Sequence, residues 1–161
     1  IMKKSLLTIS LIVGFTSFLS ASGFDTKVSI GASSAKVDGE SYTQYGLGYT
    51  SNKTLNNGII LGFGNSISYG SVRSGIEVTT LDMDVRAGYE IINNLTGYAL
   101  GTGVYQYMDD NSATGLGYGA SLEYKITDNV SLEGSYKTTN MRYSTNDYDY
   151  SSSNFAVKFN Y

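Results

Sequence analysis

Residues 81–86 read LDMDVR, so Asp82, Asp84 and Arg86 recur at every second position. On an extended chain that spacing puts two carboxylates and a guanidinium on one face. Two carboxylates so placed are candidates for general acid–base work. The competing reading is an ion-pair network. Glu90 continues the same parity, Glu123 and Lys125 repeat the two-residue spacing, and Lys27, Glu133, Lys137 and Lys158 fall at equivalent positions of other runs, making five acids and five bases in all. That balance, with Arg86 beside the two aspartates, favours mutual pairing over catalysis. The chain contains no His and no Cys. Histidine-assisted serine or cysteine chemistry and zinc sites built on His or Cys are therefore excluded. Neither MDDNS nor NDYDY has the ligand spacing of a calcium loop, so no metal, cofactor or catalytic residue is assigned and the protein is expected not to be an enzyme.

Such charges need elements of period two to carry them, and the sequence supplies those. In GLGYGASLEYKI, residues 115–126, Leu116, Tyr118, Ala120, Leu122 and Tyr124 alternate with Gly117, Gly119, Ser121, Glu123 and Lys125. The same alternation marks seven other runs. They are carried by Val28, Ile30 and Ala32; by Tyr45, Leu47 and Tyr49; by Ile59 to Tyr69; and by Leu81 to Tyr89. The rest are carried by Tyr98, Leu100, Thr102 and Val104; by Val130, Leu132 and Tyr136; and by Phe155 to Tyr161. No segment sustains a helical period, so the chain reads as all-β. Eight runs of about ten residues, an even number, fit an antiparallel up-and-down transmembrane barrel. A soluble eight-stranded ligand-binding barrel is the alternative fold.

The amino terminus carries an address. Lys3 and Lys4 precede LLTISLIVGF and then SFLSASG, the basic, apolar, small-residue order of an export signal. Residues 1–22 are expected to be that signal, cut after Ala21 or Ser22, which leaves residues 23–161 as the barrel domain; the sequence does not account for Ile1 ahead of Met2. Removing Lys3 and Lys4 from 11 bases leaves 9 against 14 acids, a mature net charge near −5. With no basic stripe to neutralise phosphates, nucleic acid is excluded as a partner.

Two features favour the membrane barrel. If the first run ascends from the periplasm, Tyr49, Tyr89, Tyr98, Tyr124 and Tyr161 fall at one end of the apolar face and Tyr69, Tyr118, Tyr136 and Phe155 toward the other. Two aromatic girdles are what two lipid–water interfaces ask for. The opposite face sets Gly62, Gly64, Gly101, Gly103, Gly117 and Gly119 among the charges, small residues that leave room for long ones in a narrow lumen.

The last segment, NFAVKFNY, resembles the carboxy-terminal strand read by the outer-membrane assembly machinery, with Phe155, Val157, Phe159 and Tyr161 as the signal. GLGYGASLEYKITDNVSLEGSYKT, residues 115–138, resembles the sixth strand, tight turn and seventh strand of OmpA/OmpX-type small outer-membrane barrels. The chain departs from that pattern in ending on Tyr161 rather than the commoner Phe and in carrying no peptidoglycan-binding domain after it. The resemblance implies residence in the outer membrane of a Gram-negative bacterium, contact with its lipid and lipopolysaccharide, and a monomer.

On that topology the extracellular loops are expected at 37–43, 70–77, 108–114 and 139–151, and the periplasmic connections near 50–57, 91–96 and 127–129. Asp38, Glu40, Glu77, Asp109, Asp110, Asp147 and Asp149 outnumber Lys36, Arg73 and Arg142 at the outer rim, with solubility the favoured reading over cation binding. Tyr143, Tyr148 and Tyr150 are placed in the longest loop, where a receptor or sugar is the functional reading and an unspecialised loop the plainer one. The expected role is an envelope or surface protein whose loops serve adhesion or recognition, with the loop ligand unnamed. A narrow nonspecific pore is the alternative.

Overall fold

The computed structural model describes residues 23–72, 75–109, 111–144 and 146–161. The expected export signal, together with Arg73 and Asp110, lies outside the described residues. Eight strands run as β1 Asp25–Val37, β2 Glu40–Thr54, β3 Ile59–Val72, β4 Ile76–Ile92, β5 Leu95–Met108, β6 Asn111–Lys125, β7 Val130–Tyr143 and β8 Asn146–Asn160. Each pairs antiparallel with its neighbours in sequence, and β1 pairs with β8 to close an eight-stranded barrel.

The barrel is staggered. From Val28, direct partners lead through Tyr49, Asn65, Met83, Gly103, Leu116 and Asn140 to Asp149. On the other side Val28 pairs with Phe159, ten residues away along β8. Closure with that offset requires strands tilted by roughly 35–45° to the barrel axis. Residues at one height are therefore not ladder partners, so charges from five different strands can meet in one layer.

Inside and outside are inverted relative to a soluble barrel. Leu116, Tyr118 and Val85 are 81%, 72% and 67% exposed, whereas Arg86, Glu123, Lys137 and Lys158 are buried inside. Water-facing walls do not carry such a continuous apolar surface; an outer face in lipid around a polar lumen does. In the opening alternation of β6, Leu116, Tyr118, Leu122 and Tyr124 face out, and Gly117, Gly119, Ser121 and Glu123 face in.

β5 corrects one expectation. Tyr98, Leu100, Thr102 and Val104 point into the barrel, while Gly97, Ala99, Gly101 and Gly103 form the outer face. Volume explains the inversion. Across the ladder to β6, Tyr98, Leu100, Thr102 and Val104 pair with Ser121, Gly119, Gly117 and Gly115, while Gly97, Gly101 and Gly103 pair with Leu122, Tyr118 and Leu116. Bulk inside on one strand is matched by its absence on the next. Glycines facing inward on both strands would leave a void in the lumen wall.

The connections are also tighter than expected. β7 runs to Tyr143 and β8 starts at Asn146, so most of the stretch 139–151 is strand, not loop. β1 and β2 are joined by Asp38 and Gly39 alone, with φ of 46° and 89°. Two positive φ values make the two-residue turn whose twist matches the flanking strands. The described residues Asp109 and Ser144 take φ of 33° and 49° at the neighbouring turns of the same end. At the end carrying the termini, the connections shorten to the residues between Thr54 and Ile59 and between Ile92 and Leu95.

Candidate functional site

The lumen is filled in three layers. Nearest the termini, Glu123 on β6 sits directly across from Glu133 on β7, a repulsive pair unless cations intervene. Three do. Lys158 Nζ donates to Glu133 Oε2 at 2.5 Å and to Glu123 Oε2 at 3.3 Å. Lys27 Nζ reaches Glu123 Oε1 at 2.5 Å, and Arg86 Nη2 reaches Glu133 Oε2 at 2.6 Å and Ser121 Oγ at 3.3 Å. Ser131 Oγ donates to Glu123 at 2.7 Å. Side chains from β1, β4, β6, β7 and β8 are thus tied in one charge-assisted network.

One layer further in, Lys137 Nζ donates to both oxygens of Asp84, at 3.0 and 3.2 Å, and lies 3.4 Å from Asp82 Oδ1. Above this, two glutamines organise a neutral lid. Gln44 donates to Tyr150 OH at 2.9 Å and accepts from Thr80 at 2.9 Å and Ser68 at 3.2 Å. Gln106 donates to Thr80 Oγ1 at 3.1 Å and Tyr42 OH at 3.3 Å, and accepts from Tyr148 OH at 2.8 Å. Around them pack Ala35, Val78, Val104, Ala113 and Met141, an apolar cluster inside the far end of the barrel.

Eight of the ten charges singled out in the sequence therefore meet inside. The other two do not. Glu90 is exposed at the rim, where its carboxylate accepts the backbone N–H of Asn94 at 3.0 Å and holds the β4–β5 turn. Lys125 ends β6 and pairs with Asp128 at 2.9 Å; that contact holds the Asp128 carboxyl below its ordinary range. In both cases the strand is still paired but the residue lies at the rim, past the end of the lumen, so parity no longer implies an inward side chain.

Among the aromatic positions, Tyr69, Tyr89, Tyr118, Tyr124, Tyr136, Phe155 and Tyr161 are exposed on the outer face. Tyr98 is not: it lies inside, its ring 3.9 Å from the Arg86 guanidinium carbon. Tyr49 is buried, with its ring centroid 6.3 Å from that of Phe63. Val157 and Phe159 share the outer face of β8 with Phe155. The placement of Tyr148 and Tyr150 in an exposed loop is corrected, since both point inward on β8. Tyr143 is half-buried and donates to Asn111 at 2.6 Å. Sequence reasoning missed Gln44, Gln106, Tyr42 and Thr80. The signal was there in their parity with the neighbouring lumen positions, but uncharged polar side chains did not stand out against turn residues.

Among the described residues, two small spaces lie within the lumen, one of ≈ 50 Å³ beneath Tyr150 and one of ≈ 40 Å³ beside Arg86 and Lys158; each exceeds the roughly 10–15 Å³ that a water needs. The arrangement offers ion pairing and mechanical closure.

The family model for the outer membrane protein beta-barrel domain matches residues 7–161. No curated protein matches the sequence. Among solved structures, Neisserial surface protein A aligns with a TM-score of 0.62 at 14% identity, covering 87% of this chain and 98% of that one. Ail, the attachment invasion locus protein of Yersinia pestis, aligns at 0.58 and 17% identity over 86% of this chain and 97% of its own. Its complex with the heparin analogue sucrose octasulfate aligns at 0.58 and 19%, over 86% and 99%. These likenesses are likenesses of fold.

Proposed function

The chain belongs to the outer membrane protein beta-barrel domain family, and from that premise we propose that it is a monomeric, non-enzymatic surface protein of the Gram-negative envelope, a sealed barrel that displays short hairpins. The observation that carries this reading is the filled lumen: two ion-pair layers under a hydrogen-bonded tyrosine–glutamine lid. An eight-stranded barrel is just wide enough for its side chains to fill, and here they do. Export by the amino-terminal signal and recognition of β8 by the assembly machinery through Phe155, Val157, Phe159 and Tyr161 complete the route. The termini then face the periplasm and the tight hairpins the exterior, against lipopolysaccharide.

The hairpins narrow the class of partner. Asp38, Glu40, Glu77, Asp109, Asp147 and Asp149 gather at that end against Lys36 and Arg142. Ail was solved with a sulfated sugar analogue; an acidic rim repels such a ligand. A neutral or cationic partner fits instead. The test is conductance of the purified, refolded protein in a planar bilayer, together with binding of whole cells to a heparin surface. Electrical silence and no heparin binding are expected, and steady discrete steps would overturn the sealed reading in favour of a narrow pore.

A further inference from the structure

The middle layer of the lumen is short of one positive charge. Asp82 and Asp84 face a single cation, Lys137, whose ammonium is committed to both oxygens of Asp84. Asp82 is 7% exposed, yet its Oδ1 accepts no hydrogen bond; Lys137 Nζ is 3.4 Å away. Its Oδ2 receives only the Ser66 hydroxyl, at 3.4 Å. The other buried cations are engaged elsewhere: Arg86 with Glu133, Lys158 with Glu133 and Glu123, and Lys27 with Glu123 and with Asp25 at 3.5 Å, so those three cations face three carboxylates. A carboxylate this deeply buried and this poorly solvated is costly unless something compensates it.

The space beside it has the chemistry to do so. Asp82 and Lys137 both line the ≈ 50 Å³ cavity, whose wall on β1, β3 and β8 includes the oxygen-bearing side chains of Ser29, Ser33, Ser66, Ser68, Ser152 and Asn154. Tyr150 closes it toward the hairpin end. Carboxylate, hydroxyl and amide oxygens around a small space are the ligand set of a hard cation. The charge decides its valence. Two carboxylates share the one ammonium of Lys137, so one added positive charge makes the layer neutral and a divalent ion would leave it with an excess. We propose that this cavity binds a single alkali-metal cation, coordinated by Asp82 and the surrounding serine and asparagine oxygens. The inference does not depend on the surface role of the protein.

The test uses purified protein in detergent micelles at fixed ionic strength, with choline chloride replaced stepwise by lithium, sodium or potassium chloride. The expected result is a saturable rise in the urea midpoint with one of the three, as binding to the folded state alone requires. Asp82→Asn should abolish the whole cation-specific rise, and Asp128→Asn, at the rim, should leave it intact. Should Asp82→Asn fail to fold, Ser152→Val, which fills the cavity, must remove the rise. In crystals grown with rubidium chloride an anomalous peak beside Asp82 is expected. Identical midpoints in choline and in all three alkali salts, or an infrared band for a protonated Asp82 carboxyl in the wild-type protein, would overturn the site.

Discussion

The guanidinium carbon of Arg86 lies 3.9 Å above the ring centroid of Tyr98, inside the barrel. The two residues come from adjacent strands, and the ring supplies a face for a group whose Nη2 is held by Glu133 but whose Nε has no hydrogen-bond partner. A desolvated cation over an aromatic ring is stabilised by about 2 kcal/mol. Tyr98 is thus part of the ion layer, although it carries no charge.

Arg86→Ala should lower the unfolding free energy by ~3–5 kcal/mol, because it strands Glu133 in the lumen with Lys158 as its remaining cation. Tyr98→Leu keeps the ion pair and loses the stacking, so about 2 kcal/mol is expected. Urea titration in lipid vesicles measures both. Losses that simply add in the double variant would mean that the ring acts as filler and not as a cation seat.

The facing of β5 has its own contrast. Ala99→Leu adds bulk on the outer wall and should change stability by less than ~0.5 kcal/mol, whereas Leu100→Ala opens a hole in the lumen and should cost ~2–5 kcal/mol. Leu122→Arg on the outer face of β6 should cost ~2–4 kcal/mol near the bilayer midplane. A costly Ala99→Leu with a cheap Leu100→Ala would put Tyr98, Leu100, Thr102 and Val104 back on the outer face.

Two glycines separate conformational strain from crowding. A Cβ at either Gly39 or Gly134 meets nothing within 4 Å, but Gly39 holds φ at 89°. Gly39→Ala should therefore destabilise by about 1–2 kcal/mol through the left-handed backbone alone. Gly134→Ala, in ordinary strand geometry, should stabilise by ~0.4–1 kcal/mol through loss of unfolded-state freedom. Thermal unfolding of the pair distinguishes them without touching the lumen.

These particulars show where the sequence was legible. Runs such as GLGYGASLEYKI declare their faces because charge and bulk alternate together, and β4, β6, β7 and β8 follow that rule. β5 has no charge between Leu95 and Met108, so its own residues offer glycine against bulk with no sign of which belongs inside. The answer sits on its neighbours. Asp82, Asp84 and Arg86 pair with Val104, Thr102 and Leu100, and ladder partners share a face. The hairpins were misread for a related reason. TNMRYSTNDYDYSSS is rich in turn formers, yet Met141, Tyr148 and Tyr150 inside it alternate into the apolar cluster at the far end, and that burial holds the strands together past the point where composition suggests a loop. Glu90 and Lys125 failed in the opposite sense, since parity continues past the end of the lumen.

The lid and the ion layers are two seals in series, which makes their separate removal informative. Tyr150→Phe keeps the ring and leaves Gln44 Nε2 without its acceptor, a loss of about 1 kcal/mol, and should leave the barrel electrically silent. Tyr150→Ala removes a fully buried side chain at a cost of ~3–5 kcal/mol and joins the ≈ 50 Å³ cavity beneath it to the hairpin end. It too should be silent, because Lys27, Arg86, Glu123, Glu133 and Lys158 still close the lumen toward the termini. Single-channel recording on the two variants checks this. Discrete steps from Tyr150→Ala with silence from Tyr150→Phe would mean that the charged layers pass ions and that the ring of Tyr150 is the one seal the barrel has.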